Sequence, residues 1–223
     1  MNFTEPDHIQ MLRDTLKKFI KNEMPKSLVS KWDQEDYFPK DVFKKLVDLG
    51  VTSLTVPEEY GGSGIDMVAT IATIEELSSR SIGIASGFIQ CACYAGLNIL
   101  ESGSIEQKNE LLPRVANGEL LFSYGISEPD VGGDVASVST IARLENDEVI
   151  INGSKRWCSG ALIADYIFAL VRSGPADERY RNLSIVLIPP NIKGVTITPQ
   201  NTMGLKGTGG TCDVYFDDVR VPQ

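Results

Sequence analysis

The hydrophobic period of this 223-residue chain changes once, near Gly118–Leu121, and this change limits the possible folds more than any other feature. Before it, apolar residues recur at the three- and four-residue spacing of amphipathic helices. After it, they form short β-type runs separated by Gly or Pro. The pattern predicts an α+β multidomain protein: an all-α domain over residues 1–120, then an antiparallel β-barrel or sandwich over residues 121–223.

The first half predicts five helices. Residues 82–100 are apolar on nearly all sides, which indicates a helix buried between others. Ser104 and Gln107 have the spacing of a capping box. The predicted helices are 9–20, with Thr4 as candidate cap; Pro39–Leu49, ended by Gly50; the stretch opened by Asp66; 82–100; and the helix from Ser104 toward Val115.

The second half predicts short strands. Asn146 and Asp147 lie between two β-type runs, which is a hairpin signal, and Asn152-Gly153 predicts a further turn. The predicted strands are Val138–Leu144, Val149–Ile151, Tyr166–Val171, Leu183–Ile188, Val195–Thr198 and Val214–Val221.

Composition excludes several classes of function. The net charge is −9 and no basic block is present, so we expect no nucleic-acid partner. No segment approaches about 18 uninterrupted apolar residues, so we expect no membrane span. A single histidine, His8, argues against most catalytic triads and against His-based metal sites. The polar N-terminus lacks the features of a signal or transit peptide.

The four cysteines, Cys91, Cys93, Cys158 and Cys212, form no CxxC pair. We therefore expect reduced thiols, a cytoplasmic location and no zinc site. Cys158 remains open as a reactive thiol, although no histidine lies near it in sequence.

The most unusual stretch is Tyr124–Asp134, at the junction of the two halves. Gly132 and Gly133 would let backbone N–H groups approach an anion such as a pyrophosphate, and Ser127 offers a hydroxyl. The alternative is an ordinary loop that connects two domains. The stretch is not a GxGxxG motif.

Two further stretches could contact a ligand. In Lys155–Gly160, Trp157 could form a wall against a planar ring while Ser159 bonds a ring nitrogen; alternatively, Trp157 fills the core and Ser159 begins a turn. The glycine-rich Met203–Thr211 could hold a phosphate or a thioester backbone, or could simply connect two strands.

Together these stretches resemble the acyl-CoA dehydrogenase family. The motifs VPEEYGG, SEPDVGGD, INGSKRWCSG and MGLKGTGGTCDVYFDDVRVP occur in the family's order and span essentially the whole chain. The resemblance implies a flavin-dependent oxidoreductase of fatty acid metabolism, which uses FAD to remove hydrogens from Cα and Cβ of an acyl-CoA thioester.

The resemblance also implies site residues. Ser127 and nearby backbone would face the flavin ring, Trp157 would flank it, and the Ser159 hydroxyl would reach toward N5. Gly133 stands where the family usually has Ser, which removes a hydroxyl that commonly contacts the flavin phosphate or the substrate. The implied cofactor-binding set is Tyr124, Gly125, Ile126, Ser127, Gly132, Gly133, Trp157, Cys158 and Ser159, with Gly133 also at the substrate.

Family members continue into a C-terminal helical domain that carries the catalytic glutamate, whereas this sequence ends at Gln223. We therefore expect a fragment without a catalytic base, prone to association through exposed apolar faces. The implied partners of the full-length protein are an acyl-CoA substrate, an electron-transfer flavoprotein and further copies in a homotetramer. The alternatives are a non-catalytic remnant that binds CoA esters, flavin or a partner subunit, an enoyl-CoA reductase of the crotonobetainyl-CoA type, and a related flavin oxidase or monooxygenase.

Overall fold

The computed structural model describes residues 4–205 and 210–223, and these divide into two compact units. The first unit holds residues 4–121 together with Gly204 and Leu205. The second holds residues 122–203 and 210–223.

The first unit is helical. Its helices are α1 (Asp7–Glu23), α2 (Lys26–Gln34), α3 (Lys40–Val47), α4 (Met67–Ser78), α5 (Ile82–Phe88), a π-helix (Ile89–Leu97), α6 (Asn98–Ser102) and α7 (Ile105–Ala116). Two short strands, β1 (Thr55–Val56) and β2 (Gly64–Ile65), pair antiparallel, and 3-10 turns cover Val51–Leu54 and Glu58–Tyr60.

Local signals place most helix ends correctly. The Asp66 carboxylate accepts from the Ala69 amide at 2.8 Å and caps α4. The predicted capping box of Ser104 and Gln107 begins α7. Gly50 follows α3 with a φ of +79°, a left-handed conformation that glycine adopts without strain.

Two features of the first unit differ from the sequence prediction. Thr4 does not cap α1, because the N-cap position is Pro6 and no side-chain cap bond forms there. The nine-residue α2 was not predicted; Trp32 is its only buried residue.

The predicted helix over residues 82–100 forms as one continuous helical stretch, Ile82–Ser102, with the π-helix at its centre. Within the described ranges, this stretch is long and apolar enough to cross a membrane by length and composition. More than half of its apolar window is buried. Core helices pass the same test, so the stretch is weak evidence for a membrane span.

The second unit is a seven-stranded sheet. Its strands are β3 (Phe122–Gly125), β4 (Ile141–Glu145), β5 (Glu148–Ser159), β6 (Tyr166–Arg172), β7 (Leu183–Ile188), β8 (Val195–Gln200) and β9 (Thr211–Pro222). The order is β3-β6-β4-β5-β9-β8, with β7 also paired to β6. A 3-10 turn covers Val135–Ser137, and a kinked 3-10 stretch covers Ala176–Asn182.

The expectation of a purely antiparallel sheet is wrong, because the whole of β3 pairs in parallel with the first four residues of β6, and β6 meets β4 in parallel at one position. The remaining pairs are antiparallel, so the sheet is mixed. The predicted hairpin is confirmed: Asn146 and Asp147 adopt φ values of 52° and 64°, as a two-residue turn between β4 and β5 requires.

The predicted turn at Asn152-Gly153 is wrong. Both residues lie inside β5, where the pairing with β9 shifts register between Ile151 and Gly153. Gly153 has a φ of +144°, and a Cβ there would lie 2.6 Å from the Thr140 Cα. The glycine therefore marks a bulge under close backbone packing rather than a chain reversal.

Candidate functional site

The first candidate stretch begins on β3. A Cβ on Gly125 would lie 3.0 Å from Ile167 Cγ2 and 3.3 Å from Lys155 Cγ, so packing inside the sheet already favours glycine there. The Tyr124 ring stacks on Phe168 of β6, with centroids 5.2 Å apart and planes 29° apart. These contacts fix the end of β3 and the direction in which the following segment leaves the sheet.

A buried ion pair holds the segment after β3. Glu128 Oε1 lies 2.8 Å from Lys155 Nζ, and the two side chains are 2% and 0% exposed. Oε1 also accepts from the Thr140 amide at 2.9 Å, while Oε2 accepts from the amide and the hydroxyl of Ser139, each at 2.7 Å. Lys155 Nζ donates to the Ile126 carbonyl at 3.3 Å. The carboxylate therefore receives four donors, which compensate for its removal from water.

These donors determine the charge state of Glu128. Burial raises the pKa of its carboxyl, but hydrogen bonds from Lys155, Ser139 and Thr140 outweigh burial and lower the pKa to about 2. Burial lowers the pKa of Lys155, against the opposing effect of the Glu128 carboxylate. A carboxylate that is saturated with donors and this acidic is unsuited to act as a general base near neutral pH.

The structure brings the first and second candidate stretches together. The Arg156 amide donates to the Ser127 carbonyl at 2.8 Å, one residue along from the contact between Lys155 and Ile126. Beyond Ser127, backbone bonds of 2.9 and 3.2 Å between Glu128 and Val131 close a tight turn.

Trp157 projects from a bulge in β5. The pairing with β9 shifts register between Lys155 and Cys158, and Trp157 within this bulge has a φ of +64°. Trp157 is 57% exposed as a residue, so the alternative in which it fills the core is wrong. The Arg156 guanidinium carbon lies 5.4 Å from the indole centroid, while Nε and Nη2 each contact the Asp213 carboxylate at 3.2 Å.

Ser159 is the last residue of β5, and the turn begins at Gly160, which has a φ of +74°. The half-buried Ser159 side chain places Oγ 3.2 Å from Thr211 Oγ1 on β9, and either hydroxyl can donate. The Ser159 carbonyl accepts from Ser123 Oγ at 2.9 Å. The hydroxyl is therefore anchored beside the Trp157 bulge.

Cys158 points into the sheet core, opposite Cys212 of β9. All four cysteines are thiols rather than disulfides. Burial raises the pKa of Cys158 to about 12 and that of Cys212 to about 11. A buried thiol of this kind is a poor nucleophile, which argues against the reactive-thiol hypothesis.

Gly132 and Gly133 lie in the exposed loop before the Val135–Ser137 turn. A Cβ on either would meet nothing within 4 Å, so packing within the chain does not require glycine there. Asp134 fixes the end of this loop by accepting from Ser137 Oγ at 2.6 Å and from Arg179 at 2.9 Å. The Ser137 hydroxyl, followed by Arg179, lowers the pKa of Asp134.

Part of the third candidate stretch, Lys206–Gly209, lies outside the described residues. At its end, the Gly210 carbonyl accepts from the Gly160 amide at 2.8 Å. No group of three or more His, Cys, Asp or Glu side chains suited to a metal ion occurs in residues 4–205 and 210–223.

Sequence reasoning missed the ion pair of Glu128 and Lys155, although both residues lie in the motifs it examined. Alternation along β5 could not have revealed it, because the bulge at Gly153 interrupts the pattern between the core residue Ile151 and Lys155.

Comparison with known proteins now assigns the fold. Residues 6–119 match the N-terminal domain of acyl-CoA dehydrogenases, and residues 123–219 match the middle domain. The chain belongs to the acyl-CoA dehydrogenase family.

Individual relatives agree with this assignment. The probable acyl-CoA dehydrogenase YngJ of Bacillus subtilis (strain 168) is 32% identical over 223 residues, which cover 100% of this chain and 58% of that protein. The solved glutaryl-coenzyme A dehydrogenase in its glutaryl-CoA complex is 30% identical with a TM-score of 0.91, over 100% of this chain and 57% of that one. A glutaryl-CoA dehydrogenase from Mycobacterium smegmatis in complex with FADH2 is 26% identical with a TM-score of 0.85, over 98% and 54%. The chain thus spans little more than half the length of these relatives.

Proposed function

We propose that this chain is the flavin- and acyl-CoA-binding part of an oxidoreductase that acts on the Cα–Cβ bond of an acyl-CoA thioester. The observation that carries the proposal is the exposed Trp157, which lies on a bulge with a left-handed backbone. This bulge lies beside residues 126–131, which follow β3 and are called the Ser127 segment below. Family membership supports it, as do the glutaryl-CoA and FADH2 bound to two of the similar solved proteins.

The side chains present fit FAD. The indole of Trp157 offers a flat apolar face to the flavin ring system. The Ser159 hydroxyl can turn away from Thr211 to donate to a ring nitrogen, because either hydroxyl of that pair can be the donor. Gly132 and Gly133 leave their backbone open to a pyrophosphate, as their vacant Cβ positions indicate.

When bound, FAD supplies the acceptor for the hydride that leaves Cβ. The roles of this chain's own residues in the proposal are to bind and to orient. A hydroxyl donor at Ser159 favours negative charge that arrives on the ring. In this proposal, none of the described side chains removes the Cα proton. Glu128 is unsuited to that role because four donors already bond its two oxygens.

The proposal also covers the electron acceptor, the oligomeric assembly and the cellular location of the protein. The family resemblance implies an electron-transfer flavoprotein as electron acceptor and a homotetramer as the assembly. A cytoplasmic location suits the four reduced cysteines.

The test is retention of FAD by the purified chain after desalting, measured by visible absorbance, followed by titration of the W157A and W157F variants. Aromatic stacking is worth about 0.5–1.5 kcal/mol, so we expect W157A to weaken FAD binding about three- to tenfold and W157F to retain most of it. The W32F variant is the control, because Trp32 is buried in the helical unit. Wild-type chain that takes up no FAD, or equal affinity in W157A, would contradict the proposal.

A second measurement tests the substrate class. Because the proposal assigns the Cα proton to no described side chain, a full-length version of the protein is loaded with flavin for this test. It is mixed with saturated acyl-CoA esters and, separately, after reduction, with enoyl-CoA esters. We expect bleaching of the visible absorbance by an acyl-CoA. Reoxidation by an enoyl-CoA, without bleaching by any acyl-CoA, would favour the reductase instead.

A further inference from the structure

The ion pair of Glu128 and Lys155 stands apart from the other ion pairs that the described residues form. Both of its side chains are almost fully buried, whereas pairs such as Arg220–Glu148 and Lys45–Glu23 are largely exposed. Removing two charges from water is costly, and apolar residues of similar volume often stabilise a fold as well or better. The pair therefore needs an explanation other than stability.

The contacts of the pair suggest that explanation. Lys155 immediately precedes the bulge that carries Trp157, and its Nζ contacts both the Glu128 carboxylate and the Ile126 carbonyl. One residue further along each segment, the Arg156 amide bonds the Ser127 carbonyl. Two adjacent cross-links thus join the segment after β3 to the start of the bulge.

Glu128 extends the same connection to a third segment. Its two oxygens accept from the backbone amides of Ser139 and Thr140, which lead into β4. An anion with two oxygens can satisfy these donors and Lys155 together, and an apolar side chain could not. The pair thus sets the spacing of three backbone segments around the candidate site.

We propose that Glu128 and Lys155 are positioning residues, which hold the Ser127 segment and the Trp157 bulge in one fixed arrangement so that both can contact the same flat ligand. The identity of that ligand as a flavin rests on the proposed function. The arrangement itself is a property of the protein without ligand and is tested there first.

The principal variants are K155M and the double variant E128Q/K155M. K155M keeps an apolar stem of similar length but leaves a buried carboxylate without its cation, so it is expected to be less stable. In the double variant no buried charge remains, but the single Gln oxygen can accept from only one of the Ser139 and Thr140 amides, which bond different oxygens of Glu128. We therefore expect it to recover part of the lost stability, because the buried charge is gone, while the bond to the Ile126 carbonyl stays absent.

The fluorescence of Trp157 provides a readout that a change in stability alone would not alter. The chain has two tryptophans, so a W32F background leaves Trp157 as the single emitter. We expect the double variant, folded by circular dichroism, to show a shifted emission maximum and faster acrylamide quenching of Trp157. We also expect weaker FAD binding, by about tenfold, which corresponds to 1.4 kcal/mol. K45M is the matched control, because it makes the same substitution in an exposed ion pair and should change neither quantity.

The outcomes separate the two proposals. Unchanged Trp157 emission and quenching in the folded double variant would overturn the positioning role, whether or not FAD binds. Failure of wild-type chain to bind FAD would overturn the proposed function, while the indole measurements would still decide the positioning role. If neither variant folds, hydrogen exchange of the unaltered chain decides it: we expect the Arg156 amide to be protected and to open together with those of Ser139 and Thr140, and rapid independent exchange at Arg156 would refute the inference.

Discussion

The left-handed conformation of Trp157 leads to a prediction that reverses an ordinary rule. A non-glycine residue with a φ of +64° is strained, and a residue that is 57% exposed gains little from burial. We predict that replacing Trp157 with glycine gives a more stable protein than replacing it with alanine. In a regular strand the opposite order is expected.

The magnitude follows from exposure and backbone. Full burial of a tryptophan covers on the order of 200 Å². The covered part of Trp157 is therefore about 80 Å², and W157A should cost at most about 2 kcal/mol at ~25 cal/mol per Å². Compared with alanine, glycine avoids left-handed strain of about 1–2 kcal/mol. However, glycine loses more chain entropy on folding, which costs about 0.5–1 kcal/mol. W157G should thus be about 0.5–1 kcal/mol more stable than W157A.

The assay is guanidinium chloride unfolding of W157A, W157G and a reference variant, F122A, followed by circular dichroism. Phe122 is fully buried in the same unit, so its loss should cost about 3–5 kcal/mol and sets the scale for a core aromatic residue. A cost for W157A as large as that of F122A would refute the exposed position of the indole. Greater stability of W157A than of W157G would refute the left-handed backbone.

Two further predictions concern packing and pH. Gly153→Ala should destabilise the chain by about 1–3 kcal/mol, because its Cβ would lie 2.6 Å from the Thr140 Cα. The matched control is Gly132→Ala, whose Cβ would meet nothing within 4 Å; it should change stability by less than about 0.5 kcal/mol, with both variants measured by guanidinium chloride unfolding. The pKa of Glu128 is lowered to about 2 in the fold from an unfolded value of about 4.3, so the stability it contributes is complete above the unfolded value and is lost as the pH falls toward 2. As the pH falls across this range, the unfolding midpoint should decrease more steeply for wild type than for the E128Q/K155M variant. Parallel curves would contradict the lowered pKa of Glu128 in the folded state.

Features set by neighbouring residues could be predicted from the sequence. The hairpin at Asn146-Asp147 and the caps at Asp66 and Ser104 depend on backbone preferences within about four residues, and all are confirmed. Asn152-Gly153 carries a similar turn signal, but pairing of β5 with β9 along both sides of Gly153 overrides it. The sequence of two residues does not show whether a strand that is distant along the chain pairs with them.

In the candidate site too, local sequence motifs could be recognised, but contacts between distant segments could not be predicted. The motifs single out Ser127, Trp157 and Ser159 as candidate site residues, a prediction that stays untested. They do not show that Ser127 and Arg156 are hydrogen-bonded, because that contact depends on sheet order. The parallel pairing of β3 with β6 was equally hidden, since β4 and β5 lie between them in sequence. Glu128 was missed because an acidic residue in a loop motif normally faces water, and its buried cation lies 27 residues away.

The parallel pairing of β3 also affects the order of folding. β3 is the first strand of its sheet to be synthesised, yet its partner β6 begins only at Tyr166. The local hairpin of β4 and β5 closes a short loop and can form early, whereas β3 must wait for a long-range contact. The nascent chain would therefore complete the segment that contains Ser127 late, only after the long-range pairing of β3 with β6 has formed.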